Sequence, residues 1–164
     1  MTHPMFRFLL VLLLSLPLGA LAQGASVSFK GLKQDTTLPV EVTADSLAVD
    51  QTTGTATFSG NVRVAQGALV MTAGEIRVEY AAEAGKIAKL HAKGGVTFAN
   101  AGDAAEAAEA IYTIDSGSLV MSGNVLLTQG QTAISGQKLA IDLKAGSGVM
   151  EGRVQTVFQP KGDN

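Results

Sequence analysis

The sequence predicts an all-β fold, an elongated roll or flattened barrel of many short antiparallel strands, and three observations carry that prediction. Apolar residues alternate with polar ones from Leu38 to Phe158, the period-two pattern of half-buried strands. Glycines paired with Thr, Asn or Gln interrupt the runs, which is turn chemistry. The chain also repeats itself at roughly 63–65 residues, as stacked units do when none can bury its apolar face alone.

Taken in order, Met1 to Ala22 reads as a secretory signal peptide. Arg7 supplies the positive end, Phe8 to Leu18 the apolar stretch, and Ala20-Leu21-Ala22 the small-x-small cleavage site. The apolar run falls short of the ~20 residues a spanning helix needs, and Pro17 and Gly19 break it; an uncleaved anchor is the alternative. Residues 23–37 are expected to be a flexible segment, residues 38–159 the β domain, and residues 160–164 a C-terminal tail. Within the domain the alternating sets are Leu47 and Val49, Ala56 and Phe58, Val62 and Val64, then Ile76, Val78 and Tyr80. Ile87 and Leu90, Val96 and Phe98, Leu119 and Met121, and Val125 and Leu127 continue them, and Leu139, Ile141, Leu143, Val154 and Phe158 close the pattern. Turns are expected at Thr53-Gly54, Gly60-Asn61, Gln66-Gly67, Gly123-Asn124 and Gln129-Gly130. Asp103 to Ala110 is rich in Ala and Glu and helix-friendly by propensity. One helical turn and a tightly packed small-residue strand both fit it.

The repeat is the most informative property. Ser59-Gly60-Asn61-Val62 returns as Ser122-Gly123-Asn124-Val125, and Gln66-Gly67 returns as Gln129-Gly130. A finer unit also recurs, as Leu47-Ala48-Val49-Asp50, Ile76-Arg77-Val78-Glu79, Tyr112-Thr113-Ile114-Asp115 and Leu139-Ala140-Ile141-Asp142. Strand alternation puts its two apolar residues on one face and its acid on the other. Stacked copies would therefore share one continuous apolar interior.

Composition narrows the function. The 164 residues carry 12 Lys+Arg against 14 Asp+Glu, a net charge of −2, with 46% apolar and 16% charged residues. Such a chain holds one domain with a real core, and its charge gives no reason to bind nucleic acid. The absence of Cys removes disulfides, zinc–thiolate sites and thiol nucleophiles together. Beyond the leader His91 is the only histidine; alternation from Leu90 places it outward among Lys89 and Lys93, a surface group rather than a general base. Asp50, Glu79, Asp115 and Asp142 recur by repeat position and fit no calcium loop, so they read as solvated strand-end charges. No catalytic residue, metal site or cofactor is expected.

Ala44-Asp45-Ser46-Leu47 and Phe58-Ser59-Gly60-Asn61-Val62-Arg63-Val64-Ala65-Gln66-Gly67 resemble the LptA/OstA family of periplasmic lipopolysaccharide-transport proteins. Gly85-Lys86-Ile87, Gly95-Val96-Thr97-Phe98, Ala110-Ile111-Tyr112 and the second Ser-Gly-Asn-Val extend the resemblance from about Leu38 to Phe158. It implies an OstA-like twisted β-jellyroll, open at both ends. It further implies a periplasmic bridge that carries lipopolysaccharide, by its lipid A acyl chains, along an apolar groove from the inner to the outer membrane. The implied partners are an LptC-like inner-membrane protein, the N-terminal domain of an LptD-like outer-membrane protein, and further copies joined head to tail. The positions matching the family's cargo-lining strands are Thr36, Val40 and Val42, then Phe98, then Tyr112 and Ile114. The implied assembly edge holds Val154, Thr156 and Phe158. The alternatives are an exported structural or adhesive β-repeat with a self-filled core, and an anchored LptC-like relative.

Overall fold

The computed structural model describes residues 25–28, 33–83 and 85–158. The expected signal peptide and C-terminal tail lie outside them. The strands are β1 (Ala25–Ser28), β2 (Glu41–Thr43), β3 (Ser46–Asp50), β4 (Thr55–Gln66), β5 (Leu69–Tyr80), β6 (Ile87–Asn100), β7 (Asp103–Thr113), β8 (Ser118–Gln129), β9 (Thr132–Asp142), β10 (Ser147–Glu151) and β11 (Gln155–Phe158). They form one antiparallel sheet in the order β1-β10-β9-β8-β7-β6-β5-β4-β2, with β3 also on β4 and β11 also on β9. Each central strand pairs with its neighbour in sequence through a short turn, the meander that alternating runs with Gly turns favour.

A single layer cannot bury one of its own faces, yet Leu69, Met71, Ile76, Leu90, Leu119 and Leu139 are fully buried. The sheet does so by folding on itself. The pairing register shifts between Ser59 and Val62, between Thr72 and Glu75, between Lys93 and Val96, between Glu106 and Glu109, and between Ser122 and Val125. The extra residues sit on β4, β6 and β8, side by side, and interrupt every ladder between the long strands at the same height; a bulge bends the strand that carries it. At both margins the crease becomes a complete break, β2 with β3 on one side and β10 with β11 on the other. Two half-sheets result, packed face to face. At the crease Gly74 and Gly94 approach so closely that a Cβ on Gly94 would lie 3.3 Å from the Gly74 Cα. Gly94 also has φ +82, where a side chain is strained.

Cross-strand partners share a face, so the register gives the lining directly. In one half-sheet the row Leu47–Phe58–Ile76–Ala92–Ala110–Met121–Leu139–Met150 runs unbroken from β3 to β10. In the other, a row runs from Val42 on β2 through Met71 and Phe98 to Ile134 and Thr156 on β11. Asp103–Thr113 is a strand, the second of its two expected forms. Ala105, Ala107 and Ala110 point inward and Glu106 and Glu109 outward. Ladders on both sides override the helix propensity of its alanines.

One expectation needs correction. Leu47 and Val49 point to the inner face, but they are 55% and 64% exposed, because β3 is a margin strand with no element opposite it. Within the segment 23–37 the described residues are 25–28 and 33–37. Ala25–Ser28 pairs with β10 in antiparallel register, which satisfies the backbone groups of that edge. Gln34 is buried between the two half-sheets.

Candidate functional site

The two half-sheets meet at the crease, and their turns form two lips on the opposite side. Residues 34–40 cross from one lip to the other as a strap. The Gln34 amide donates to the Leu143 carbonyl at 2.8 Å on the first lip. On the second, the Gln34 side chain donates to the Gln66 carbonyl. Asp35 shapes the strap's turn: the Thr37 hydroxyl, then the Thr37 amide, donate to its carboxylate and hold its pKa below the ordinary value.

Under the strap lies a slit of about 620 Å³, a volume usual for a small-ligand site. Leu38, Pro39 and Val40 of the strap, Ile87 at the start of β6 and Ile114 after β7 supply its apolar surface. Thr36, Lys86, Asp115 and Lys144 stand around its rim. Lys86 is paired with Glu83, and the Lys144 ammonium donates to the Asp115 carbonyl. The rim is thus polar and internally paired, and the walls are apolar. Shape and composition suit an aliphatic chain entering from the side.

Of the expected lining residues, Thr36, Val40 and Ile114 come together at this slit. Val42 is half-buried on β2, paired with Val64. Phe98 and Tyr112 lie deeper, 1% and 0% exposed, in an interior filled by the protein's own side chains. The Tyr112 hydroxyl donates to Gln66 Oε1 at 2.7 Å and so joins one half-sheet to the other. At the far margin Val154 packs against the core, while Thr156 and Phe158 are exposed on β11, Phe158 by 74%.

Sequence reasoning missed Gln34 and Gln66, two of the three buried polar side chains among the described residues. In the sequence Gln66 belongs to a turn and a repeated motif; its recurrence as Gln129 marks it as structural but does not reveal its partners. Leu38 stands at the first position of the alternating region with Pro39 after it, so the pattern does not mark it as a wall.

The outer face holds the charges. His91 Nε2 lies 2.8 Å from Glu79 Oε1, without hydrogen-bond geometry, and Arg77 and Lys93 pair with Glu79 and Glu75. These pairs are partly exposed, so solvent screens them and each contributes little. Asp50 and Asp142 accept amide bonds from the residues after them, Thr52 at 2.8 Å and Lys144 at 2.9 Å. The recurring acids at these two strand ends fix the turns that follow.

A family model described as the LptA/(LptD N-terminal domain) LPS transport protein matches residues 41–147. The chain belongs to this family. The matched span runs from β2 into the start of β10 and contains all the long creased strands. An uncharacterized protein of Rhizobium meliloti (strain 1021) is 26% identical over 153 residues, covering 87% of this chain and 82% of that protein. The lipopolysaccharide export system protein LptA of Haemophilus influenzae is 29% identical over 147 residues, covering 83% and 86%. The crystal structure of LptH, the LptA-homologous periplasmic component of the lipopolysaccharide transport device of Pseudomonas aeruginosa, superposes with a TM-score of 0.69. It is 19% identical, over 77% of this chain and 99% of that one, a likeness of fold. Membership in the LptA family places the chain among lipopolysaccharide-transport proteins rather than enzymes. Among the described residues no group of three or more His, Cys, Asp or Glu could hold a metal.

Proposed function

We propose that this chain binds the lipid A acyl chains of lipopolysaccharide along its apolar inner face and hands the glycolipid across the periplasm. The donor is an LptC-like inner-membrane protein and the acceptor the N-terminal domain of an LptD-like outer-membrane protein. The observation that supports this most is the set of inner-face rows running from margin to margin, one ending in exposed Leu47 on β3 and the other in exposed Thr156 on β11. An acyl chain exposed to water costs about 0.8 kcal/mol per methylene, so a lining continuous from one copy to the next removes most of the barrier to crossing. Copies would join head to tail, the β2 and β3 margin of one against the β11 margin of the next, where Val154, Thr156 and Phe158 lie. Such a contact is heterologous and extends rather than closes.

Photo-crosslinking tests the cargo. A crosslinker at Val42, Phe98 or Ile114 should capture lipopolysaccharide in cells. One at Glu41 or Thr113, next to these in sequence but on the other face, should not. Equal labelling from both faces would sink the assignment. A second reading, a structural β-repeat with a self-filled core, draws on the closed packing around Phe98 and Tyr112. It expects the purified protein to release no lipid on solvent extraction and mass spectrometry.

A further inference from the structure

Gln66 stands where the strap, the first half-sheet and the second meet. Its side chain is 1% exposed and makes three hydrogen bonds. Nε2 donates to the Leu38 carbonyl at 2.9 Å and to the Thr36 carbonyl at 3.1 Å, and Oε1 accepts from the Tyr112 hydroxyl at 2.7 Å. Apolar packing holds the strap only weakly, since Asp35, Thr37, Leu38 and Pro39 are exposed. The strap is therefore fastened mainly by polar bonds, two of them made by the Gln66 side chain and two by Gln34, whose side chain donates to the Gln66 carbonyl. A buried amide that loses its partners is costly until water or a ligand replaces them, so intermediate positions are disfavoured and the strap is either down or released.

We infer that Gln66 is a positioning residue: it latches the strap across the slit, and an acyl chain passes from the slit to Phe98 only when that latch lets go. The second clause rests on the reading of the slit as the lipid site; the first does not. With the strap down, the row through Met71, Phe98 and Ala105 is packed without room for a ligand.

Two measurements separate the parts. In Gln66→Leu, which keeps the volume and removes the bonds, hydrogen exchange at the Gln34 and Leu38 amides should quicken by about tenfold or more. Exchange in the β5–β8 ladders should stay as in the wild type, showing that the roll is folded. Strap exchange that does not change overturns the latch. The reverse test closes it. A Cβ built on Gly117, at φ +69, lies 3.4 Å from Thr36 Cγ2, so the two side chains are neighbours that a cross-link joins once Lys144 Cγ, 2.9 Å from that Cβ, moves aside; the chain has no Cys of its own. In Thr36→Cys/Gly117→Cys, a photo-crosslinker at Phe98 should capture purified lipopolysaccharide about tenfold less when oxidised, and recover on reduction. Equal capture in both states overturns the gating. If the wild-type roll captures none at any inner position, the lipid reading fails, and the exchange experiment still decides whether Gln66 latches the strap.

Discussion

Burial pushes the Tyr112 phenol up to about 12, because ionising it would place a charge beside Leu90 and Leu119 in a closed interior. The neutral form is the one the fold favours. Its contribution to stability is complete below the ordinary value of 10 and is lost as the pH climbs towards 12. At neutral pH Tyr112→Phe should cost about 1–2 kcal/mol, since Gln66 Oε1 loses its donor. The gap between the two proteins should then close under alkaline conditions, as only the wild type has this phenol to ionise. Thermal unfolding across the alkaline range checks both signs, and a gap that stays constant would count against the buried phenol. Residue roles were only partly legible. Period two settles which way Tyr112 faces, but not that its hydroxyl meets a glutamine from the other half-sheet. Gln129, the repeat counterpart of Gln66, binds Asp103 instead, so equivalent positions do not imply equivalent partners.

The strands themselves were legible because alternation reports facing and Gly-containing pairs report turns. The crease was not, because a bulge is one extra residue in a pattern of period two and leaves only a Gly-Asn or Gly-Gly pair as its trace. Its tightness can be measured by substitution. Gly94→Ala combines a strained φ with a Cβ pressed against Gly74, and should destabilise the protein by about 2–3 kcal/mol. The neighbouring Gly95, φ +78, has nothing within 4 Å of a built Cβ. Gly95→Ala should therefore cost only the backbone strain, about 1 kcal/mol. Chemical denaturation of the two variants compares them, and equal losses would mean that the close approach contributes nothing. Exposure at the margins was also hidden. The pattern of Leu47 and Val49 is the same as that of buried Ile76 and Val78, and only their place in the sheet order tells them apart.

For the whole molecule, the sheet order is linear, and among the described residues its two margins do not pair with each other. Deleting residues 153–164 removes β11 with its exposed Val157 and Phe158. The truncated protein should lose concentration-dependent oligomers and binding to an LptD-like N-terminal domain. Binding to an LptC-like partner at the other margin should survive. Sedimentation and pull-down would show this once circular dichroism confirms the roll is intact; assembly like the wild type would mean that the end-to-end contact with this polarity is wrong. The open, all-β roll was legible because the repeat demanded a shared interior, whereas the strap was not, since irregular chain leaves no period to read. The crease has a mechanical consequence. Interrupting every ladder at one height gives the sheet a single line of low bending stiffness, while each half stays rigid. A torque applied at the lips acts through the full length of a half-strand as its lever arm, so a small force there turns one plate against the other. The work of spreading the plates then falls on the few bonds at the rim and on the apolar contact between them, and the ladders can ride along intact.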